Sequence, residues 1–270
     1  MTASEGTQQL LDALVAVSRQ YGRDPEFVLA GGGNTSAKLG DRLWVKGSGT
    51  SLATITADGF VEMHRPALET LLNSDLGPDR TVREERFKQA VMAARVAPEK
   101  GQRPSVEVVL HHLLPGALVV HSHATVVNMF ACSERGESLI RELCGDDVLW
   151  IADVDPGLVL AQTLRDSLQQ YAKRTGRSCP RAVVMQNHGL VVAGDTPEEI
   201  QRHTDWLIDI LCRKIKWLGA GEPFGPTVPV DAQQKRGRIN AIAPALRGLL
   251  ATDDSLKVVT FDDSATVMGF

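Results

Sequence analysis

The segment ALVVHSHA, residues 117–124, sets two histidines two positions apart inside an otherwise apolar strand. Side chains alternate across a strand, so His121 and His123 share one face and their rings converge on one point. A third histidine stands in VVMQNHGLVV, where a polar Asn187-His188-Gly189 interrupts two apolar runs. A fold that brings these two places together gathers three neutral imidazoles. On Zn²⁺ that set leaves the fourth position open, as in catalytic rather than structural sites. Imidazole also suits Mn²⁺, Co²⁺ and Fe²⁺, so the ligands alone do not choose the ion. His64, His111, His112 and His203 read as ordinary hydrogen-bonded histidines. His111 also lies one helical turn after Glu107 and can support it.

Glu107 follows Pro104-Ser105 at an expected helix start. A carboxylate there gains about 0.3–1 kcal/mol from the macrodipole without any catalytic task. Beside a metal triad the same carboxylate becomes a candidate acid/base.

The chain has 270 residues, 43% hydrophobic and 23% charged, with 29 basic against 33 acidic side chains. That is the composition of a globular protein able to bury a sizeable core. It lacks the basic block of common nucleic-acid binders. No apolar run reaches the roughly 18–20 residues that span a bilayer. Four scattered cysteines without a CxxC read as reduced thiols, and the acidic, amphipathic N-terminus is unlike a signal peptide. The expectation is a cytoplasmic protein with no nucleic-acid or membrane partner.

Periodicity predicts helices over 7–20, 84–96, from Pro104-Ser105 to Pro115-Gly116, from Asp155-Pro156 toward Gly176, and over 236–251. Thr196-Pro197-Glu198-Glu199 has a cap residue, Pro at the first helical position and Glu three after the cap. It should open a long helix to about Trp217. RLWVK, ALVVHSHA and the two halves of AVVMQNHGLVVAG read as strands, so the class is α/β. Residues 219–230 are rich in Pro and Gly and read as an extended crossing. The last fifteen residues look strand-like, and we expect 220–270 to serve in oligomer assembly.

AGGGNTSAK and KGSG read as Gly-rich turns flanking one strand. Glycines let backbone N–H groups approach an anion, and Asn34, Ser48 and Lys46 add donors. Neither turn is GxxxxGK[ST] or GxGxxG. Two such loops on one strand suggest a shared anion site.

The order GGGNTS, KGSG, PSVE with His111 four residues after the Glu, HSHA, DPG and NHG resembles the class II aldolase/adducin family. LWVKGSGTSLATI and the tail GLLATDDSLKVVTFDDSATVMGF look most like the aldolase portion of bifunctional rhamnulose-1-phosphate aldolase/dehydrogenases. The resemblance implies a three-layer α/β/α fold with a central, largely antiparallel sheet. It implies one aldolase-like domain over 1–270, with 220–270 as a C-terminal extension. It also implies a divalent metal, usually zinc, on His121, His123 and His188, with Glu107 beside it. A sugar phosphate would be held by residues matching Asn34, Ser48, Gly49 and Ser105, and the assembly would be a homotetramer.

The implied reaction is a reversible cleavage of a ketose phosphate to dihydroxyacetone phosphate and an aldehyde, through a metal-stabilised enediolate. Rhamnulose-1-phosphate-like and fuculose-1-phosphate-like compounds are the expected substrates. Same-fold alternatives are a 3-oxo-tetronate phosphate decarboxylase, a pentulose-phosphate 4-epimerase and a dehydratase. Outside enzymes, the alternative is an assembly module like the adducin head. No Rossmann fingerprint is present, and the expectation is a stand-alone enzyme without nicotinamide.

Related aldolases often use a tyrosine as the acid at the aldehyde oxygen. Here only Tyr21 and Tyr171 exist, neither at a matching position. IADVDPG, with Trp150, Asp153 and Asp155, stands where relatives often read PY. Val106 occupies the place of one phosphate-loop serine, with Lys46 as the compensating cation.

Overall fold

A computed structural model describes residues 3–217, 230–251 and 258–261. The chain divides into two units, Met1–Leu218 and Gly219–Phe270. The first unit is built on seven strands: β1 Asn34–Leu39, β2 Arg42–Lys46, β3 Phe60–His64, β4 Leu118–Ser122, β5 Val148–Ile151, β6 Ala182–Met185 and β7 Gly189–Gly194. Their order is β3-β2-β1-β4-β7-β6-β5. Every neighbouring pair is antiparallel except β5 and β6.

Both faces of the sheet are covered, as a three-layer α/β/α fold requires. One face carries α1 Ala3–Gly22, α5 Thr125–Ala131, α6 Gly136–Cys144 and α8 Pro197–Trp217. The core there joins Leu14, Leu118, Val120, Val127, Val184, Leu190, Val192 and Leu207. The other face carries α2 Arg65–Leu72, α3 Arg80–Ala93, α4 Val108–Leu113 and α7 Leu158–Thr175. Leu43, Val45, Phe87, Val91 and Val108 pack at one end, and Val119, Val183, Val191 and Leu164 at the other. Odd and even residues of β4 and β7 thus go to opposite layers, as strand geometry demands.

Several expected boundaries move, each for a local reason. Residues 34–38 form strand β1 rather than part of a glycine turn, because they pair with both β2 and β4. Helix α3 begins at Arg80, four residues early, where Asp79 caps it by accepting from Val82 N at 2.8 Å. Helix α4 begins only at Val108. Pro104 pairs with Gly47 as an isolated bridge, and Ser105 N donates to Lys46 O at 3.0 Å, so 104–105 stay extended. Helix α7 starts at Leu158, after Asp155-Pro156. The cap of α8 forms as expected: Glu199 N donates to Thr196 Oγ1 at 3.2 Å, and Glu199 Oε2 accepts from Asp195 N at 2.8 Å.

In the second unit, α9 Ala232–Leu250 is capped by Asp231 and contains Pro244. It begins four residues before the expected 236. Of the strand-like tail, residues 258–261 carry no strand. The remainder of that tail, and 219–229, lie outside the described residues. No helix among the described residues is long and apolar enough to cross a membrane.

Candidate metal centre

The three histidines meet at the end of the two central strands. His121 is the fourth residue of β4 and is buried. His123 lies just past the strand end, where its N–H donates to Phe27 O at 3.0 Å. His188 sits in the turn joining β6 to β7. Antiparallel pairing of β4 with β7 sets Ser122 opposite Leu190, which brings the turn beside His121 and His123. The ring centroids are 4.8–5.6 Å apart, and one nitrogen from each ring lies within 4.8 Å of the others. The Nε2 atoms of His121 and His123 are 3.1 Å apart.

Two glycines allow this crowding. A Cβ on Gly189 would lie 2.5 Å from Ser122 O and 3.2 Å from His121 Cε1. Gly33, at φ +63, faces His121 O, which a Cβ would meet at 2.8 Å.

The fold fixes the tautomer of His121. Leu190 O can only accept, so His121 Nδ1 donates to it at 3.0 Å and Nε2 carries the lone pair. Burial holds His121 below the usual imidazole range and, with its two ring neighbours, pushes His123 down to about 4. The close Glu107 carboxylate and its negative charge pull His188 up against burial.

Glu107 closes the centre from the α4 side. It is the N-cap residue of α4 and is 8% exposed. Oε2 accepts from Asn34 Nδ2 at 2.6 Å and lies 3.5 Å from His121 Nε2. Oε1 approaches His188 Nε2 at 3.2 Å but makes no well-aligned hydrogen bond, leaving a buried carboxylate oxygen unsatisfied. Burial would raise this carboxyl. Attraction to the neighbouring His121 and His188, the contact with His188 and the Asn34 bond outweigh it and hold it well below the ordinary range. Three imidazoles with one fixed tautomer, and an orphaned carboxylate oxygen beside His188, fit a divalent cation.

The polar face of β1 fixes α4, and with it Glu107. Asn34 stands opposite His121 in the ladder, and Asn34, Ser36 and Lys38 alternate onto the same side. Asn34 Nδ2 donates to Glu107, so Asn34 Oδ1 faces His111 Nε2–H. His111 Nδ1 then accepts from Ser36 Oγ at 2.8 Å. The carboxylate fixes the direction of the whole chain. His111 is fully buried, and burial pushes it down to about 3, so it stays neutral. Lys38 Nζ donates to His111 O at 3.2 Å and to Leu114 O, covering the C-terminal carbonyls of α4.

The expected anion residues lie on one zipper. Gly47 bridges Pro104, Ser48 N donates to Arg103 O at 2.7 Å, and Ser105 N donates to Lys46 O. This gathers Lys46, Ser48, Gly49 and Ser105 on paired segments. Ser105 Oγ accepts from Glu107 N at 3.3 Å, tying that zipper to the centre. Lys46 Nζ donates to Gly31 O at 3.0 Å. Burial lowers its pKa while Glu107 pulls it back up. The Asn34 side chain bonds Glu107 and His111.

Sequence reasoning left out Arg103, whose Nη2 donates to Ser48 Oγ at 2.8 Å. An exposed arginine in a loop carries no signal of that contact. The tyrosines are engaged elsewhere: Tyr21 OH donates to Thr204 Oγ1, and Tyr171 OH to Cys179 O.

The model of the family described as "Class II Aldolase and Adducin N-terminal domain" matches residues 12–212. The chain is 27% identical to the uncharacterized oxidoreductase YuxG of Bacillus subtilis (strain 168), over 99% of this chain and 39% of that protein. It therefore spans about two fifths of the length of this curated relative. Among solved structures it is similar to the N-terminal class II aldolase domain of a conserved protein from Thermoplasma acidophilum. That match has 28% identity and a TM-score of 0.64, covering 77% of this chain and 93% of that one. A putative aldolase/epimerase/decarboxylase, YgbL from Klebsiella pneumoniae, shares the fold at 19% identity and a TM-score of 0.53, with 80% and 92% covered.

Proposed function

The chain belongs to the class II aldolase and adducin family, and from that premise we propose that it is a metal-dependent aldolase. It cleaves a ketose phosphate reversibly to dihydroxyacetone phosphate and an aldehyde. The substrate resembles rhamnulose 1-phosphate or fuculose 1-phosphate. With this reading go zinc as the ion, a homotetramer, a cytoplasmic location, and 220–270 as an extension of one aldolase-like domain.

The observation that carries it is the buried Glu107 carboxylate beside three converging imidazoles, with Oε1 lacking a hydrogen bond 3.2 Å from His188 Nε2 and Oε2 3.5 Å from His121 Nε2. An assembly module has no need of such a group. A divalent cation on His121, His123 and His188 supplies Lewis-acid polarisation of the substrate's carbonyl and neighbouring hydroxyl. Glu107 moves the proton. Oε2 stays on Asn34 and holds the carboxylate in place, while Oε1 is free to take a proton from the hydroxymethyl carbon of dihydroxyacetone phosphate. In cleavage the hydroxyl that becomes the aldehyde gives up its proton as the carbon–carbon bond breaks, and one proton is delivered through Oε1 to the carbon released. The ionised carboxylate is the form that accepts the proton in the synthetic direction. Asn34, Lys46, Ser48, Gly49 and Ser105 receive the phosphate, and the Asn34 side chain also supports Glu107.

Elemental analysis and a retro-aldol assay on one purified sample test this. About one divalent ion per chain, with release of dihydroxyacetone phosphate from rhamnulose or fuculose 1-phosphate, supports it. Metal without cleavage keeps the centre and moves the reaction to a decarboxylase, epimerase or dehydratase. No metal after gentle purification returns the chain to the assembly-module reading.

A further inference from the structure

The turn that delivers His188 is held from outside the triad. Asn187 has φ +57, a left-handed backbone that asparagine tolerates better than most residues. Its Nδ2 donates to Asp153 Oδ2 at 3.0 Å. One residue earlier, Gln186 Oε1 accepts from Asp153 N at 3.2 Å. Residue 153 therefore grips both residues that precede the ligand. The turn's backbone adds Gln186 N to Ile151 O at 2.9 Å and Asn187 N to Ala131 O at 3.1 Å.

The ligands differ in how they are aimed. His121 is 1% exposed and has its second nitrogen anchored on Leu190 O. The His188 side chain is 30% exposed, and its second nitrogen has no hydrogen bond among the described residues. Metal-bound histidines are ordinarily oriented through that second nitrogen. For His188 the backbone turn takes over the task.

We propose that Asp153 is a positioning residue for the metal centre: through Asn187 it fixes the turn that aims His188. The proposal rests on the metal-centre reading above. The clasp needs an acceptor at residue 153 and a donor at residue 187, not a charge. Asp153 is exposed, so its removal leaves the core untouched.

The test is titration of the metal-free full chain with Co²⁺, followed by visible absorption, and with Zn²⁺ against a chromophoric chelator. D153A and N187G should each bind roughly 10–100-fold more weakly than the wild type, the range seen when such supporting contacts are lost. Glycine adopts the left-handed turn freely, so N187G removes the clasp and keeps the backbone. D153N retains an acceptor oxygen and should restore binding to near wild type. The double variant D153A/N187G should be no weaker than either single one. Metal-free melting temperatures should stay close together, which a general loss of structure would not allow. Wild-type affinity in D153A overturns the proposal, and so does a D153N as weak as D153A, which would assign the effect to charge. A wild-type chain that binds neither ion overturns the metal centre itself. Metal binding with no aldol cleavage leaves this proposal standing and removes only the reaction.

Discussion

Replacing Gly189 with alanine tests the strand packing and the metal centre together. The added Cβ would sit 2.5 Å from Ser122 O, 3.1 Å from His123 Cδ2 and 3.2 Å from His121 Cε1. The first neighbour is backbone on the paired strand and cannot swing aside. Carbon and carbonyl oxygen settle at about 3.3 Å or more, so β4 and β7 must part by roughly 0.8 Å there. Overpacking of this kind costs about 1–3 kcal/mol, and a weakened ladder bond adds about 1 kcal/mol. For a unit of this size each kcal/mol moves Tm by about 2–4 °C, so G189A should melt roughly 4–16 °C lower. His121 in β4 and His123 just beyond it shift with the strand, so metal affinity should fall by about 100-fold or more, beyond the loss of one supporting contact. Differential scanning calorimetry without metal, then with excess zinc, reads both effects. A G189A protein with wild-type Tm and wild-type affinity would refute the packing reasoning.

Three other outcomes are expected. E107Q should retain most of its metal but lose hydrogen exchange into dihydroxyacetone phosphate in ²H₂O; wild-type exchange removes Glu107 from the base role. Burial, aided by the nearby Arg65 charge, pushes Lys38 down to about 7 from 10.5. The unfolded chain binds its proton more tightly, so the penalty of burying Lys38 is complete below about pH 7 and is relieved as pH rises toward 10.5. Wild-type stability should therefore gain on K38M by a few kcal/mol between pH 7 and 10. Urea denaturation at both pH values checks this, and a constant difference rejects it. T196A removes the cap acceptor of α8 and should cost about 1 kcal/mol, or roughly 2–4 °C in a thermal scan.

The centre was legible because its signals are periodic and local. His121 and His123 obey the two-residue repeat of a strand, and Asn-His-Gly stands out between two apolar runs. The fold class followed from helices interleaved with strands. Strand β1 was hidden, because NTSAK carries polar residues on a face that a core strand normally makes apolar. That face binds Glu107, His111 and the end of α4, a task visible only once β1 lies beside the helix. The late start of α4 was hidden for a similar reason: Pro104 and Ser105 suit a helix start, yet they pair with the 46–47 segment. Arg103 and Asp153 are exposed charges in loops, and their partners are 55 and 34 residues away.

The same long connections govern when the site can appear. Asn34 and Glu107 are 73 residues apart, His111 and Asn34 are 77, and His121 and Leu190 are 69. No short stretch of chain holds the whole triad, and the ladder β1-β4-β7 closes only after large loops have closed. An ion therefore cannot seed folding here; it finds its ligands late, in a nearly complete structure. Its effect should fall on the unfolding rate, with refolding unchanged across metal concentrations. The centre then acts as a lock set after assembly, lengthening the lifetime of the native state by mass action.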